Sequence, residues 1–314
     1  MKKACPDTIR ISYGTAIVLG LIKARQEVAP TTAYLLFDDG CQGSCSFCPR
    51  ANGNSNEKKL SRIIWPEFKF DDVLTLLSAT PKPFKRVCLQ TGYNPANEEL
   101  IKNISKALID NCILTSVTLS PGQTDLALEL LDSGIDHIGI GLDCVTPKTY
   151  SIHKKRNWDT DWEKLLNLMH RAKGKIEVHL IYGFENTEED FCRIINQIAD
   201  AGGKISLFAL TPVNGGISPE ISEYRRVQIF RYLCENGNIT IDDCIFEKGK
   251  LKKIKAANDL LIKLLDGGDC FRTSGCGDCN RPFYNEKPGQ TFFNYPRPLT
   301  EEEFQSALLK SGLF

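Results

Sequence analysis

This chain has no net charge: its 39 lysines and arginines balance its 39 aspartates and glutamates. The strong single-sign field that a nucleic-acid or membrane surface needs is therefore missing. Long apolar runs are missing too, the longest (residues 16–22) being far shorter than the roughly 20 residues that cross a bilayer. No secretory pattern opens the sequence, since Lys2 and Lys3 are followed by Pro6, Asp7 and Arg10 before any apolar run. Histidine is scarce, and His137, His153, His170 and His179 form neither an H-E-x-x-H nor an H-x-x-E-H set, so none is assigned to a metal. These absences lead us to expect a soluble, cytoplasmic protein without a nucleic-acid or membrane partner. Its 314 residues, 42% of them apolar, suffice for one large α/β core or two ordinary ones.

Cysteine, by contrast, is plentiful. Thirteen of them in a reducing compartment point to metal ligands or buried thiols rather than a disulfide framework, and they concentrate at two places. The first is Cys41-x3-Cys45-x2-Cys48, just after the apolar run 33–37. Three thiolates at this spacing can hold three irons of a [4Fe-4S] cube and leave the fourth iron without a protein ligand. Structural zinc wants four ligands, and no paired set follows in the next turns of chain, so the ligand count favours the cluster over zinc or three buried thiols.

This spacing, with Phe47 just before the third cysteine, resembles the radical S-adenosylmethionine (radical SAM) superfamily. The resemblance implies that S-adenosylmethionine chelates the open iron and is reductively cleaved to a 5′-deoxyadenosyl radical.

Along the chain, small residues Gly14, Ala16 and Gly20 mark a helical stretch over 9–23, followed by a strand over 31–37 and a turn at Asp38 and Asp39. The polar stretch 52–59 reads as a connection, and a helix is expected from Glu67. Then β-branched strands (86–90, 114–119, 136–142, 175–182, 204–210) alternate with amphipathic helices (96–110, 123–132, 159–172, 187–201, 219–236). With the first strand this makes six βα units, hence a parallel sheet. The α/β class follows, and the resemblance implies a partial (β/α)6 TIM-type barrel, with a doubly wound sheet as the structural alternative. The expected organisation is an N-terminal segment (1–30), the barrel (31–240) and a C-terminal iron-sulfur extension (241–314), whose basic stretch 251–265 reads as a helix.

Chemistry in βα barrels collects at the carboxyl ends of strands. There the resemblance implies cofactor contacts from Thr91 and Gly92, in place of the family's glycine-containing motif though without its Gly-Gly-Glu. It implies further contacts from Asp143, from Gly183 and Glu185 in a stretch similar to G-x-I-x-G-x-x-E-T, and from Leu210 at the sixth strand. Two of these have structural readings as well: Asp143 suits a helix N-cap, and Thr187 with Asp190 suits a capping arrangement. Lys154, Lys155 and Arg156 read first as a solvated charge run, and second as partners for a carboxylate.

The second concentration is Cys270, Cys276 and Cys279 on Gly-rich chain that can wrap a metal. Cys5 is the expected fourth ligand, Ser274 the alternative, and a four-cysteine zinc knot the competing reading. Cys88, Cys112, Cys144, Cys192, Cys234 and Cys244 lie in or beside apolar segments and are expected only to pack.

Residues 61–66 and the 270–298 tail, with its Asn-Arg-Pro and Tyr-Pro-Arg-Pro phrases, resemble the biotin-synthase-related group and, within it, subunits of the split lipoyl synthases. The departure is that single-chain lipoyl synthases carry their auxiliary cysteines before the radical motif. The resemblance implies two [4Fe-4S] clusters, the second donating sulfur to C6 or C8 of an octanoyl chain on a lipoyl-carrier protein. It also implies a second radical SAM subunit and an electron donor such as ferredoxin. Competing readings are another radical SAM reaction on a peptide, RNA or small molecule, and a noncatalytic iron-sulfur or zinc protein.

Overall fold

The computed structural model describes residues 5–37, 40–51, 58–81, 83–211, 218–286 and 289–314. The expected turn at Asp38 and Asp39, most of the 52–59 connection, and the chain from Pro212 to 215 lie outside the described residues. No helix among the described residues is long and apolar enough to cross a membrane.

The elements run β1 (Thr8–Ile11), α1 (Tyr13–Val18), β2 (Thr32–Phe37), a small hairpin of β3 (Lys59–Leu60) and β4 (Ile63–Ile64), β5 (Glu67–Lys69) and α2 (Phe70–Leu77). There follow β6 (Arg86–Thr91), α3 (Glu98–Asp110), β7 (Thr115–Leu119), α4 (Thr124–Asp132), β8 (His137–Asp143), α5 (Pro147–His153) and α6 (Trp158–Arg171). Last come β9 (Ile176–Tyr182), α7 (Glu188–Asp200), β10 (Lys204–Ala209), α8 (Ile221–Glu235), β11 (Cys244–Glu247), β12 (Lys250–Ile254), α9 (Asn258–Leu264) and α10 (Glu301–Ser311). The main sheet has the order β10-β9-β8-β7-β6-β2-β1-β5. Its six strands from β10 to β2 are parallel throughout, while β1 and β5 add on antiparallel. This is the six-unit α/β architecture expected from the alternation, a partial TIM-type barrel.

Side chains on a strand alternate between faces, and here the two faces differ in chemistry. Val87 and Leu89, Val117 and Leu119, Ile138 and Ile140, Val178 and Leu180, Ile205 and Leu207 join the helices in the main apolar core. Each such Leu or Ile contributes about 1.5–3 kcal/mol by leaving water. Cys88 and Gln90, Ser116 and Thr118, Glu177 and His179 occupy the opposite face, and all line an interior cavity. A smaller apolar group, Tyr34, Leu36, Trp65 and Tyr284, sits on that side too.

The C-terminal tail spans the gap between the outermost parallel strands. On one side Ser274 Oγ accepts from Leu207 N at 2.9 Å, and Asn285 donates to Ala209 O. On the other, Thr31 N donates to Asn280 Oδ1 at 3.0 Å and Thr32 Oγ1 to Asp278 O at 3.0 Å. Helix α8 anchors the tail from behind: buried Arg225 donates to Phe293 O at 2.6 Å and lies over the rings of Phe271 and Tyr295.

Three local expectations need correction, and one helix was not foreseen. The stretch 9–23 begins as a strand, because Ile9 and Ile11 alternate inward before Ser12 caps a shorter helix. The chain at Glu67 is β5, and its helix starts three residues later. The basic stretch 251–265 is half hairpin: Lys248 (φ 50°) and Gly249 (φ 76°) turn β11 into β12, the left-handed two-residue turn that hairpins favour. Helix α10 was not anticipated, although Thr300 and Glu303 form its capping box. The capping arrangement of Thr187 and Asp190 is present, with Asp190 N donating to Thr187 Oγ1 at 3.1 Å and Thr187 N to Asp190 Oδ2 at 2.9 Å.

Candidate active site

The barrel encloses a cavity of about 420 Å³, within the range of small-molecule sites. At its upper end, beyond the carboxyl end of β2, lies the loop carrying Cys41, Cys45 and Cys48, all three of which line the cavity. Backbone bonds hold this loop to its neighbours: Gln42 N donates to Tyr93 O at 2.7 Å and Ser46 N to His153 O at 2.9 Å. Ser46 Oγ also meets His153 Nδ1 at 2.9 Å, and the His153 ring stacks on Phe184 at 4.3 Å. Phe47 tilts against the same Phe184 ring at 5.2 Å, so an aromatic stack braces the loop.

The donor set of the loop fits an iron-sulfur cube, and two of its sulfurs flank one backbone position: a Cβ built on Gly43 would be in ordinary contact with both, 3.4 Å from Cys41 Sγ and 3.9 Å from Cys45 Sγ. Burial pushes the Cys48 thiol up to about 12 and raises that of Cys45, so a bound cation is needed to make them thiolates. No group of three or more His, Cys, Asp and Glu among the described residues is gathered as one metal ion requires. A cube asks for less convergence, since each thiolate binds a different iron.

Below the loop, Thr91, Gly92, Asp143 and Leu210 line the cavity as well. Thr91 Oγ1 donates to Thr118 O at 2.7 Å, Gly92 N to Phe37 O at 3.2 Å and Leu210 N to Tyr182 O at 2.7 Å. Glu185 is exposed and not among the lining residues. Gly183 also stands back from the lining: at φ 127°, its Cβ would meet Leu210 Cβ at 2.7 Å, so glycine here lets the strand end pass Leu210.

Of the run 154–156, Lys155 is exposed as expected, but Lys154 and Arg156 are not solvated. Lys154 is only 8% exposed and donates to Asp143 Oδ2 at 2.6 Å and Gly141 O at 2.8 Å. Burial opposes its charge, yet Asp143 and the nearby thiols hold its ammonium above the ordinary lysine value. Arg156 is clamped through Nε and Nη2 by Asp161 at 2.6 and 2.8 Å, and Tyr150 Oη donates to the same carboxylate at 2.6 Å. Two fixed cations thus reach the cavity wall.

Deeper in the lumen the tail brings Cys276 and Cys279 beside Cys88 of β6, and all three line the cavity. Glu177, 2% exposed, accepts from Cys276 and Ser206. Burial works against its charge, but His179 and Arg281 hold its carboxyl well below the usual range. Gly275 (φ 110°) is required here, because a Cβ would fall 2.0 Å from Ser206 Oγ and 2.2 Å from Glu177 Oε1.

The other residues named for the auxiliary set are elsewhere. Cys5 Sγ lies at 3.6 Å from Asn103 O on α3, and Cys270 is fully buried against α8, where Arg231 bonds its carbonyl. Neither lines the cavity. Ser274 Oγ is committed to the backbone of β10. Cys88, expected only to pack, does pack beside Tyr34, Trp65 and Tyr284, but it also lines the cavity; the legible signal for that was the polar alternate positions on otherwise β-branched strands. Cys112 is exposed rather than packed.

A parallel partial barrel with a three-thiol loop at its carboxyl end defines a class: enzymes that open chemistry at a cluster-bound cofactor. The radical SAM family model matches residues 35–198, and the chain belongs to the Radical SAM superfamily, whose members use a [4Fe-4S] cluster and S-adenosylmethionine. Among solved structures it is similar to HydG, a maturase of the [FeFe]-hydrogenase, with 17% identity and TM-score 0.52 over 65% of this chain and 50% of that one. It is similar to HydG from Carboxydothermus hydrogenoformans, with 14% identity and TM-score 0.50 over 71% and 55% of the two chains. Methylornithine synthase (PylB) gives 13% identity and TM-score 0.51 over 66% and 62%. At these identities the likeness is one of fold, and the match spans half to three fifths of those proteins' lengths. No curated protein matches the chain.

Proposed function

We propose that this radical SAM enzyme forms a carbon-sulfur bond at C6 or C8 of an octanoyl chain carried by a lipoyl-carrier protein. It works beside a second radical SAM subunit, with electrons from a donor such as ferredoxin. The observation that supports this reading is that two separate groups of thiols, Cys41 with Cys45 and Cys48 above and Cys276 with Cys279 and Cys88 below, open onto one cavity.

When bound, the cluster and S-adenosylmethionine supply a radical that takes hydrogen from unactivated carbon, and an auxiliary cluster supplies sulfide. Cys41, Cys45 and Cys48 would hold the first cluster, with Phe47 and His153 bracing their loop. Lys154, fixed by Asp143, and Arg156, fixed by Asp161, present positive charge to a carboxylate without needing to reorganise. Leu36, Leu60, Ile181 and Phe208 provide an apolar wall suited to a hydrocarbon chain and hostile to water. Holding that chain still between the two thiol groups is the positioning part of catalysis.

The test is anaerobic incubation of the reconstituted protein and its companion subunit with an octanoylated lipoyl-domain peptide. A peptide mass rising by one sulfur as a thiol, or by two sulfurs less two hydrogens once the companion has acted and the ring has closed, supports the reading. Unchanged peptide beside abundant 5′-deoxyadenosine overturns it in favour of another substrate.

A further inference from the structure

We infer that Cys88, Cys276 and Cys279 are the protein ligands of a second iron-sulfur cluster inside the barrel lumen, with Arg86 facing its sulfurs. This deepens the sulfur-insertion reading and rests on it for the cluster's use, though not for its ligands.

The first support is convergence from distant parts of the chain. Cys88 stands on the inner face of β6, while Cys276 and Cys279 arrive on the tail, and all three reach the same cavity. Tyr34 Oη lies 3.5 Å from Cys279 Sγ, while Cys276 in its protonated state donates to Glu177, a bond it would give up as a thiolate ligand. The tail is built to deliver them. Asp278 is tied to Lys85 at 2.9 Å and Asn280 Nδ2 to Ala29 O at 3.0 Å, on the chain just before β2 and β6. Gly275 passes between Ser206 and Glu177, where no side chain fits.

The second support is independent of the thiols. Arg86 is 5% exposed and lines the cavity; its Nη2 pairs with Asp136 at 2.8 Å, but its Nε and Nη1 are buried without a hydrogen-bond partner. Buried N–H groups left unpaired cost free energy, so two on one guanidinium mark a place for an acceptor. Arg281, 8% exposed and held by Ser274 O at 2.8 Å, adds a second cation. Three cysteines offer thiolates to a metal, and the orphaned N–H groups of Arg86 ask for an acceptor. A thiolate-ligated iron-sulfur cluster, negative overall and accepting hydrogen bonds at sulfur, satisfies both. A single zinc ion offers no such sulfide acceptors.

The experiment separates this cluster from the first. A Cys41→Ala/Cys45→Ala/Cys48→Ala variant is reconstituted anaerobically with iron and sulfide, then assayed for both elements and by Mössbauer spectroscopy. We expect about half the iron of the unmodified chain, roughly four of eight atoms. In that background Cys276→Ala/Cys279→Ala, and separately Cys88→Ala, should remove most of the remaining iron, whereas Cys5→Ala and Cys270→Ala should leave it in place. Circular dichroism and thermal melting confirm that each variant is folded, and Cys88→Ser provides a milder change at the same position. In the single-cluster background, Arg86→Gln should lower the cluster's midpoint potential, since a positive neighbour is removed. Full iron retention in folded Cys88→Ala, loss in Cys270→Ala or Cys5→Ala, or zinc in place of iron overturns the assignment. A chain that keeps this cluster yet leaves the octanoylated peptide unchanged would sink the sulfur-insertion reading alone.

Discussion

The upper and lower thiol groups of this cavity are assembled in opposite ways. Cys41, Cys45 and Cys48 come from one loop of eight residues, so their meeting depends on local backbone and a brace of aromatic rings. Cys88, Cys276 and Cys279 meet only because a strand of the barrel and a tail almost two hundred residues later are folded together. The upper group should therefore tolerate changes in the tail, and the lower group should feel any change in how the tail is seated.

The largest effect should come from the upper loop. Cys45→Ala should lower anaerobic 5′-deoxyadenosine formation by roughly 100-fold or more, the loss exceeding that of outer-shell changes because a ligand itself is removed. Product chromatography reads this directly, and a variant that still cleaves S-adenosylmethionine at near full rate would break the assignment of this loop.

Gly275→Ala should sharpen the contrast next. It forces a side chain into φ 110° and onto Ser206 and Glu177, costing about 2–5 kcal/mol by denaturant titration. Iron should fall by about half while the upper cluster's share persists.

Asp161→Asn tests the rigidity of the upper wall. It removes the negative charge facing Arg156 and leaves a single oxygen to accept from Arg156 and Tyr150, and should cost about 1.5–3 kcal/mol. Burial pushes the Asp161 carboxyl up, but the bonds from Arg156 and Tyr150 outweigh it and hold the group below its ordinary value. Its stabilisation is thus fully present above the unfolded value of about pH 4 and is lost as pH falls through the folded one. Melting curves between neutral and acid pH should show that this slope is shallower in Asp161→Asn.

The smallest effect should be at the exposed thiol. Cys112→Ser should change stability by less than about 0.5 kcal/mol and leave iron content alone, which separates a bystander cysteine from a ligand.

Much of this was legible beforehand where the signal is local. The Cys41 loop, the six βα units and the Thr187–Asp190 cap all follow from spacing within a few turns of chain. Legibility failed where neighbours in space are far apart in sequence. Cys88 looked only like a packing residue because a lone cysteine on a strand does not show its face; the signal lay on other strands, in the alternation that puts Ser116, Thr118 and Glu177 on the cavity side. Cys270 was grouped with Cys276 because it lies only six residues away, yet the chain between them turns Cys270 into the core against α8, away from the cavity. Lys154 looked solvated within a charged run, until the fold placed Asp143 and Gly141 around it. Short apolar stretches misled in the same manner: Ile9 and Ile11 suit either a helix or a strand until β2 and β5 flank them.

By itself the sequence determined the upper thiol loop and the alternation of strands and helices, because periodicity and short spacing act on neighbouring residues. Only the tertiary structure decided which cysteines share the lumen, which cations are buried there and that the tail spans the open side of the barrel. Those outcomes depend on strand facing and on contacts across some two hundred residues, and no local pattern encodes them.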